Sequence, residues 1–156
     1  MAIDKVRKYL SKWGKDQDIL EFETSSATVE LAANALGVKP GRIAKTLSFQ
    51  TEEGAMLLIA AGDARIDNGK FKAEFNRKAK MLTPEEVLQY TGHAVGGVCP
   101  FGLEQKLPVY ADVSMKRFET IYPACGSSNS AIELTCEELQ EYADCTAWVD
   151  VCKDWE

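Results

Sequence analysis

The sequence has one histidine, His93, and its five cysteines, Cys99, Cys125, Cys136, Cys145 and Cys152, include no C-x-x-C pair. A structural zinc site wants about four soft ligands at short paired spacings, so no metal is expected. An odd set of unpatterned cysteines reads instead as reduced, mostly buried thiols in a reducing compartment. No apolar run approaches the roughly 18 residues that span a bilayer. The first residues, MAIDKVRKYLSKW, mix charge into every turn where a signal peptide would build an apolar core. No membrane contact is therefore expected, and the cytoplasm is the expected location.

Familiar catalytic layouts are missing as well. There is no G-x-S-x-G elbow, no phosphate-binding Walker loop, no G-x-G-x-x-G after a strand and no H-E-x-x-H. A thiol hydrolase would have to pair Cys99 with His93, which requires the glycine-rich segment between them to fold back. The alternative is a surface histidine beside a partly buried thiol.

What is present is ordinary soluble material. Its 156 residues are 46% hydrophobic and 27% charged, which excludes disorder and suggests one compact domain over residues 1–156. The net charge of −6 is unevenly spread. Residues 133–156 hold eight acids against Lys153 alone, whereas residues 64–80 hold Arg65, Lys70, Lys72, Arg77, Lys78 and Lys80 against Asp67 and Glu74. An acidic whole argues against indiscriminate nucleic-acid binding, but the basic stretch could meet one phosphate-rich ligand or be a solvated face.

Ile3, Val6, Leu10 and Trp13 recur at helical spacing up to Gly14, and Ile19–Phe22 suggest a short strand. The polar run 23–26 offers caps for a helix with Val29, Ala32, Ala33 and Leu36 inside, ended by Gly37. Runs 45–50 and 55–61 around Thr51-Glu52-Glu53-Gly54 have a hairpin pattern. Phe71 and Phe75 share a helix face in the basic stretch, and Thr83-Pro84-Glu85-Glu86 opens another helix that ends near Gly92. Strands are expected at 107–113, 120–124, 131–134 and 146–152, with a helix over 136–142 capped by Thr135. Irregular interleaving of strands and helices favours a mixed α+β fold with one mixed sheet over a strictly alternating parallel one.

Two small-residue loops, 96–102 and 126–130, could bring main-chain amides close to a ligand, although glycine loops are commonly just turns. Lys45 sits at a strand entrance among apolar neighbours, so it either snorkels outward or faces a negatively charged ligand.

Taken in order, Ala44-Lys45-Thr46-Leu47 after L-G-V-K-P, then Gly96-Gly97-Val98-Cys99-Pro100-Phe101-Gly102, then the segment from Gly126 to Leu134, the chain resembles the YbaK/EbsC family over about residues 19–149. These are aminoacyl-tRNA deacylases related to the editing domain of bacterial prolyl-tRNA synthetases. The resemblance implies a curled, barrel-like mixed sheet packed by helices, with a pocket between them. It also implies hydrolysis of the ester on a mischarged tRNA, most often cysteine or alanine on the proline tRNA, with no cofactor. The expected partners are the 3′ end of an aminoacyl-tRNA and prolyl-tRNA synthetase.

By the same resemblance, Lys45 would engage the terminal adenosine and its phosphate, with Thr46 beside it. The main chain of Gly96 and Gly97 would line the place of the scissile carbonyl, together with Val98, Cys99, Pro100, Phe101 and Gly102. Gly126, Ser127 and Ser128 would contact the nucleotide, and Phe22, Thr24, Ser26 and Thr28 would set the size of the amino-acid pocket. Cys99 stands where serine or threonine is common, and Ser127-Ser128 where glycine or arginine often stand. A binding module that holds tRNA, a nucleotide or a synthetase without turnover is the alternative reading, and the acidic C-terminal stretch suits docking to a basic partner.

Overall fold

The computed structural model describes residues 2–155. Its centre is a mixed sheet of six strands, curled against the helices. The organising element is the hairpin of β2 (Ile43–Thr51) and β3 (Gly54–Ala61), following a two-residue strand β1 (Leu20–Glu21). The hairpin's antiparallel register sets Thr51 opposite Gly54, whose φ of +138° suits glycine and closes the turn over Glu52-Glu53. All of β3 from Ala55 to Ala61 is buried, so the strand reads as a continuous apolar run.

β3 pairs in parallel with β5 (Val109–Asp112), reached after the two-residue β4 (Arg65–Ile66). On the other side, β2 pairs in parallel with β6 (Thr120–Pro123), but only at Ile43 and Ala44. The run expected at 131–134 is not one strand: β7 (Ser130–Ala131) pairs with β1, whereas β8 (Leu134–Thr135) extends the large sheet beside β6. The run expected at 146–152 divides likewise. β9 (Ala147–Val149) joins β5, and β10 (Cys152–Lys153) pairs with β4. Both runs divide because their two halves serve different sheets, a long-range choice that period-2 patterning does not encode.

The helices are α1 (Ala2–Leu10), α2 (Val29–Leu36), α3 (Asn68–Phe75), α4 (Pro84–Thr91) and α5 (Cys136–Tyr142). α4 and α5 start in full capping boxes, in which Thr83 and Thr135 each exchange hydrogen bonds with a glutamate three residues on. The cap of α2 is Thr28, whose hydroxyl accepts from the Leu31 amide, and not a residue of the 23–26 run. That run forms the approach to the helix, held by hydrogen bonds from Ser26 to the Ser128 carbonyl. α1 buries Val6 and Leu10 in the main core.

One edge of β2 has a break that positions everything below. Past Ala44 the partner β6 ends, and the next neighbour is the segment 80–82. There the Gln50 amide donates to the Lys80 carbonyl at 2.8 Å and the Leu82 amide donates to the Ser48 carbonyl at 3.2 Å. Strand residues two apart direct their main-chain groups the same way, so Thr46, between Ala44 and Ser48, turns its amide and carbonyl into the break.

Candidate active site

A cavity of about 430 Å³ opens at this break. Its walls are β2 from Ile43 to Ser48, the N-terminal end of α2 with the chain before it, the segment 81–87, and the loop residues Val95, Gly96 and Val98. Tyr122, Ala124, Ser130 and Ala131 close the remaining side. Apolar side chains dominate, and the lining holds no carboxylate, imidazole or thiol. Its polar groups are Lys45, the Tyr122 phenol, the hydroxyls of Ser26, Thr28, Thr46, Ser48 and Ser130, and exposed main chain.

The Lys45 ammonium is half-buried and donates to the main-chain carbonyls of Gly62 and Ala64, the latter closely and the former at 3.4 Å. Burial lowers its pKa, and the nearby Cys152 and Asp63 push it back up. Lys45 is thus tied to the end of β3 and does not snorkel freely. Gly62 has no room for a side chain, since a Cβ there would come 2.2 Å from the Pro40 carbonyl oxygen and 2.6 Å from Val29. Thr46 brings a second distinctive group: its buried Oγ1 has no hydrogen-bond partner among the described residues. An unmatched buried hydroxyl costs stability unless something polar visits it.

Gly96 lines the cavity with φ +99°, a conformation that favours glycine, and a Cβ there would come 3.2 Å from Ala27. Gly97 is placed differently. It does not line the cavity, and a Cβ on it would meet the backbone of Gly126 and Ser127 at 2.8–2.9 Å, so this glycine interlocks the two small-residue loops. Gly102 and Gly126 lie under α1, where added Cβ atoms would meet Lys5 at 3.2 Å and Val6 at 3.0 Å. Pro100 lies beside Gly102 on the α1 side of the molecule, facing Tyr9, and Phe101 is fully buried in the core.

Of the residues singled out in the sequence, Ser26, Thr28, Lys45, Thr46, Gly96 and Val98 meet around the cavity, whereas Phe22, Thr24, Gly97, Cys99, Pro100, Phe101, Gly102, Gly126, Ser127 and Ser128 do not line it. Several of the latter build its supports. Phe22 and Asn129 exchange main-chain and side-chain hydrogen bonds at 2.8 and 2.9 Å, the Ser128 carbonyl accepts from Ser26, and the Ser127 hydroxyl lies 2.7 Å from that of Ser130 in the wall. Ser130, the last residue of the 126–130 loop, and Ser48, which the sequence does not single out, are both buried in the lining. Small hydroxyl residues at alternate positions of β2, Thr46 and Ser48, are the signal that could have found Ser48.

His93 is fully buried, contrary to the surface placement weighed from sequence, and its Nε2 lies 2.8 Å from the Phe101 carbonyl oxygen. A carbonyl only accepts, so Nε2 carries the proton and cannot also receive one from Cys99, whose Sγ is 3.5 Å away. The Cys99 thiol is fully buried, burial pushes its pKa up to about 12, and it points at the same carbonyl. These two residues form a structural knot and no activated nucleophile. Among the described residues there is no cluster of three metal-ligating side chains, and no helix is long and apolar enough to cross a membrane.

Comparisons with known proteins agree on one lineage. The family model of the aminoacyl-tRNA editing domain matches residues 23–142. An uncharacterized protein of Bacillus subtilis, YwhH, is 57% identical over the full length of both chains. The candidate Cys-tRNA(Pro)/Cys-tRNA(Cys) deacylase EbsC of Enterococcus faecalis is 27% identical over 85% of this chain and 77% of its own. The proline–tRNA ligase of Kosmotoga olearia is 31% identical over 74% of this chain, a match that spans 21% of the ligase. Among solved structures, a candidate trans-editing enzyme for prolyl tRNA synthetase superposes with a TM-score of 0.88 at 31% identity, covering 97% of both chains.

Proposed function

This chain belongs to the aminoacyl-tRNA editing domain family, and from that premise we propose that it is a free-standing hydrolase that cleaves the ester of a mischarged tRNA, with Cys- or Ala-tRNA(Pro) as its substrate. The observation that carries the reading is the cavity lining, which offers hydrogen-bond donors and, among the described residues, no carboxylate, imidazole or thiol to activate one of its hydroxyls. An aminoacyl ester is already activated, so positioning it and stabilising charge on its carbonyl oxygen supply most of what its hydrolysis needs.

The 3′-terminal aminoacyl-adenosine enters the break in β2. The main-chain amide of Thr46 and the backbone around Gly96 face the ester, and Lys45, at the lip, meets the nucleotide's negative charge. Water adds to the carbonyl carbon and gives up one proton to the surrounding solvent, and negative charge collects on the carbonyl oxygen beside the amide donors. The bond to the ribose 3′ oxygen then breaks as that oxygen takes up a proton from solvent. The family match and the likeness to EbsC and to a candidate trans-editing enzyme support the editing reaction.

A deacylation panel of cysteinyl-, alanyl-, seryl- and prolyl-tRNA(Pro) tests this. Hydrolysis of the cysteinyl or alanyl ester with the prolyl ester spared is expected. Hydrolysis of none, beside an active editing enzyme as control, overturns the reading in favour of a domain that only holds its ligand.

A further inference from the structure

We propose that the basic stretch from Ala64 to Lys80 is a phosphate track for the double-stranded acceptor end of the tRNA whose 3′ terminus enters the cavity; the proposal rests on the deacylase reading above and extends it to how the RNA docks. Both ends of the stretch are fastened to the strand that lines the cavity. At one end the Ala64 carbonyl accepts from Lys45, and at the other the Lys80 carbonyl accepts from the Gln50 amide. Residues 45–50 of a strand cover about 17 Å, so the two ends of the stretch are held about that far apart along β2, although none of its residues lines the cavity.

α3 turns its aromatic face inward, with Phe71 packed on Phe49 at 4.9 Å and on Phe75 at 4.8 Å. Lys72, Lys78 and Lys80 stay exposed, and among the described residues no carboxylate pairs with any of them. Of the acids around them, two are held at helix N-termini, whereas Glu74 stays exposed within the stretch. Asp67 accepts from the Lys70 amide at 3.0 Å as the cap of α3, and Glu86, which Lys80 influences, is held by the Thr83 amide at 2.9 Å. Lys70 differs in pairing with Asp150 at 3.2 Å, and Arg77 is half-buried in a hollow shared with Glu52 and Glu53.

The site itself points to RNA as the partner. Met81, the neighbour of Lys80, stands 55% exposed in the cavity wall, so a ligand that leaves on that side passes Lys80. RNA duplexes are gripped through shape and phosphate contacts, which need point charges at a surface and no base-reading groove. The net charge of −6 keeps the rest of the surface unattractive to RNA, so a short cationic track would also fix orientation.

The test is the triple variant Lys72→Gln/Lys78→Gln/Lys80→Gln, whose side chains hold nothing in place and whose melting should match the parent protein. Binding of an uncharged acceptor-stem minihelix is measured between about 50 and 200 mM salt. The expected result is at least tenfold weaker binding at the lower salt, and a log K against log salt slope shallower by about three, roughly one per lysine. Hydrolysis of an aminoacyl-CCA trinucleotide, too short to reach the track, should be unchanged.

Unchanged minihelix affinity and slope overturn the proposal. So does loss of binding to prolyl-tRNA synthetase with RNA binding intact, which would make the stretch a protein-docking face. A fall in trinucleotide hydrolysis also overturns it, because the effect would then lie in the cavity. If the parent protein hydrolyses no aminoacyl-tRNA yet the binding results hold, the deacylase reading fails and the track stands.

Discussion

The Lys45 ammonium and the Cys99 thiol are the two side chains that sequence alone marks as chemistry, and burial gives them opposite fates. Lys45→Ala leaves the Gly62 and Ala64 carbonyls without their donor. The fold should lose about 1–3 kcal/mol, more than a freely snorkelling lysine would cost, and deacylation should fall at least tenfold. Urea melts and turnover of the same preparation separate the two effects, and unchanged turnover would remove Lys45 from the site. Lys45→Arg should restore activity only in part, because a planar fork cannot occupy the place of a compact ammonium. Cys99→Ser should keep turnover within a few-fold, and alkylating reagents should leave the native protein active, since a thiol with a pKa near 12 and no exposure presents no thiolate. A drop of ~10³-fold in the serine variant would instead show covalent catalysis. Polarity at an apolar position made Lys45 legible in the sequence. The orphaned hydroxyl of Thr46 was not, because its isolation depends on the tertiary packing around it and not on its neighbours in sequence.

Most elements were legible, and the failures share a cause. α4 and α5 carry their start signals within four residues, so Thr83 and Thr135 announce them, and the β2–β3 hairpin is set by local alternation and a glycine turn. The runs 131–134 and 146–152 misled because each is shared between two sheets whose other strands lie far away in sequence. The small-residue loops were legible as loops, but their division of labour was not. Gly96 lines the cavity and Gly97 is the joint between loops, a distinction made by the backbone of Ser127. Gly97→Ala should therefore cost about 1–3 kcal/mol of stability as the loops are forced apart, and activity should fall along with it. Gly96→Ala, strained at φ +99° and with a Cβ 3.2 Å from the Ala27 methyl, should also cost about 1–3 kcal/mol, with turnover falling further than that loss of stability explains because the residue lines the cavity. Paired thermal melts and deacylation rates decide, and a Gly97→Ala protein as stable as its parent would contradict the interlock.

At the scale of the whole molecule, the family match over residues 23–142 leaves out α1, yet α1 packs on both small-residue loops. Gly102 and Gly126 pack beneath it, Val6 and Leu10 are fully buried, Tyr9 donates to the Tyr142 carbonyl and Trp13 stacks on the Tyr142 ring at 4.5 Å. Removing residues 1–13 should abolish a cooperative melt; a truncated protein that melts like the parent would show that the loops hold without α1. This arrangement also orders events during synthesis. The helix leaves the ribosome before the elements it packs on, and Tyr142 follows Tyr9 by 133 residues, which is roughly 7–27 s of translation at about 5–20 residues per second. A nine-residue helix does not persist alone in water for that time. Its apolar stripe must stay unstructured, or sheltered by a chaperone, until the segment around Tyr142 emerges, so the loops around the cavity set late in the synthesis of this domain. Hydrogen exchange on ribosome-stalled chains ending near residue 120 should find residues 2–10 unprotected, and protection there would mean that α1 docks early.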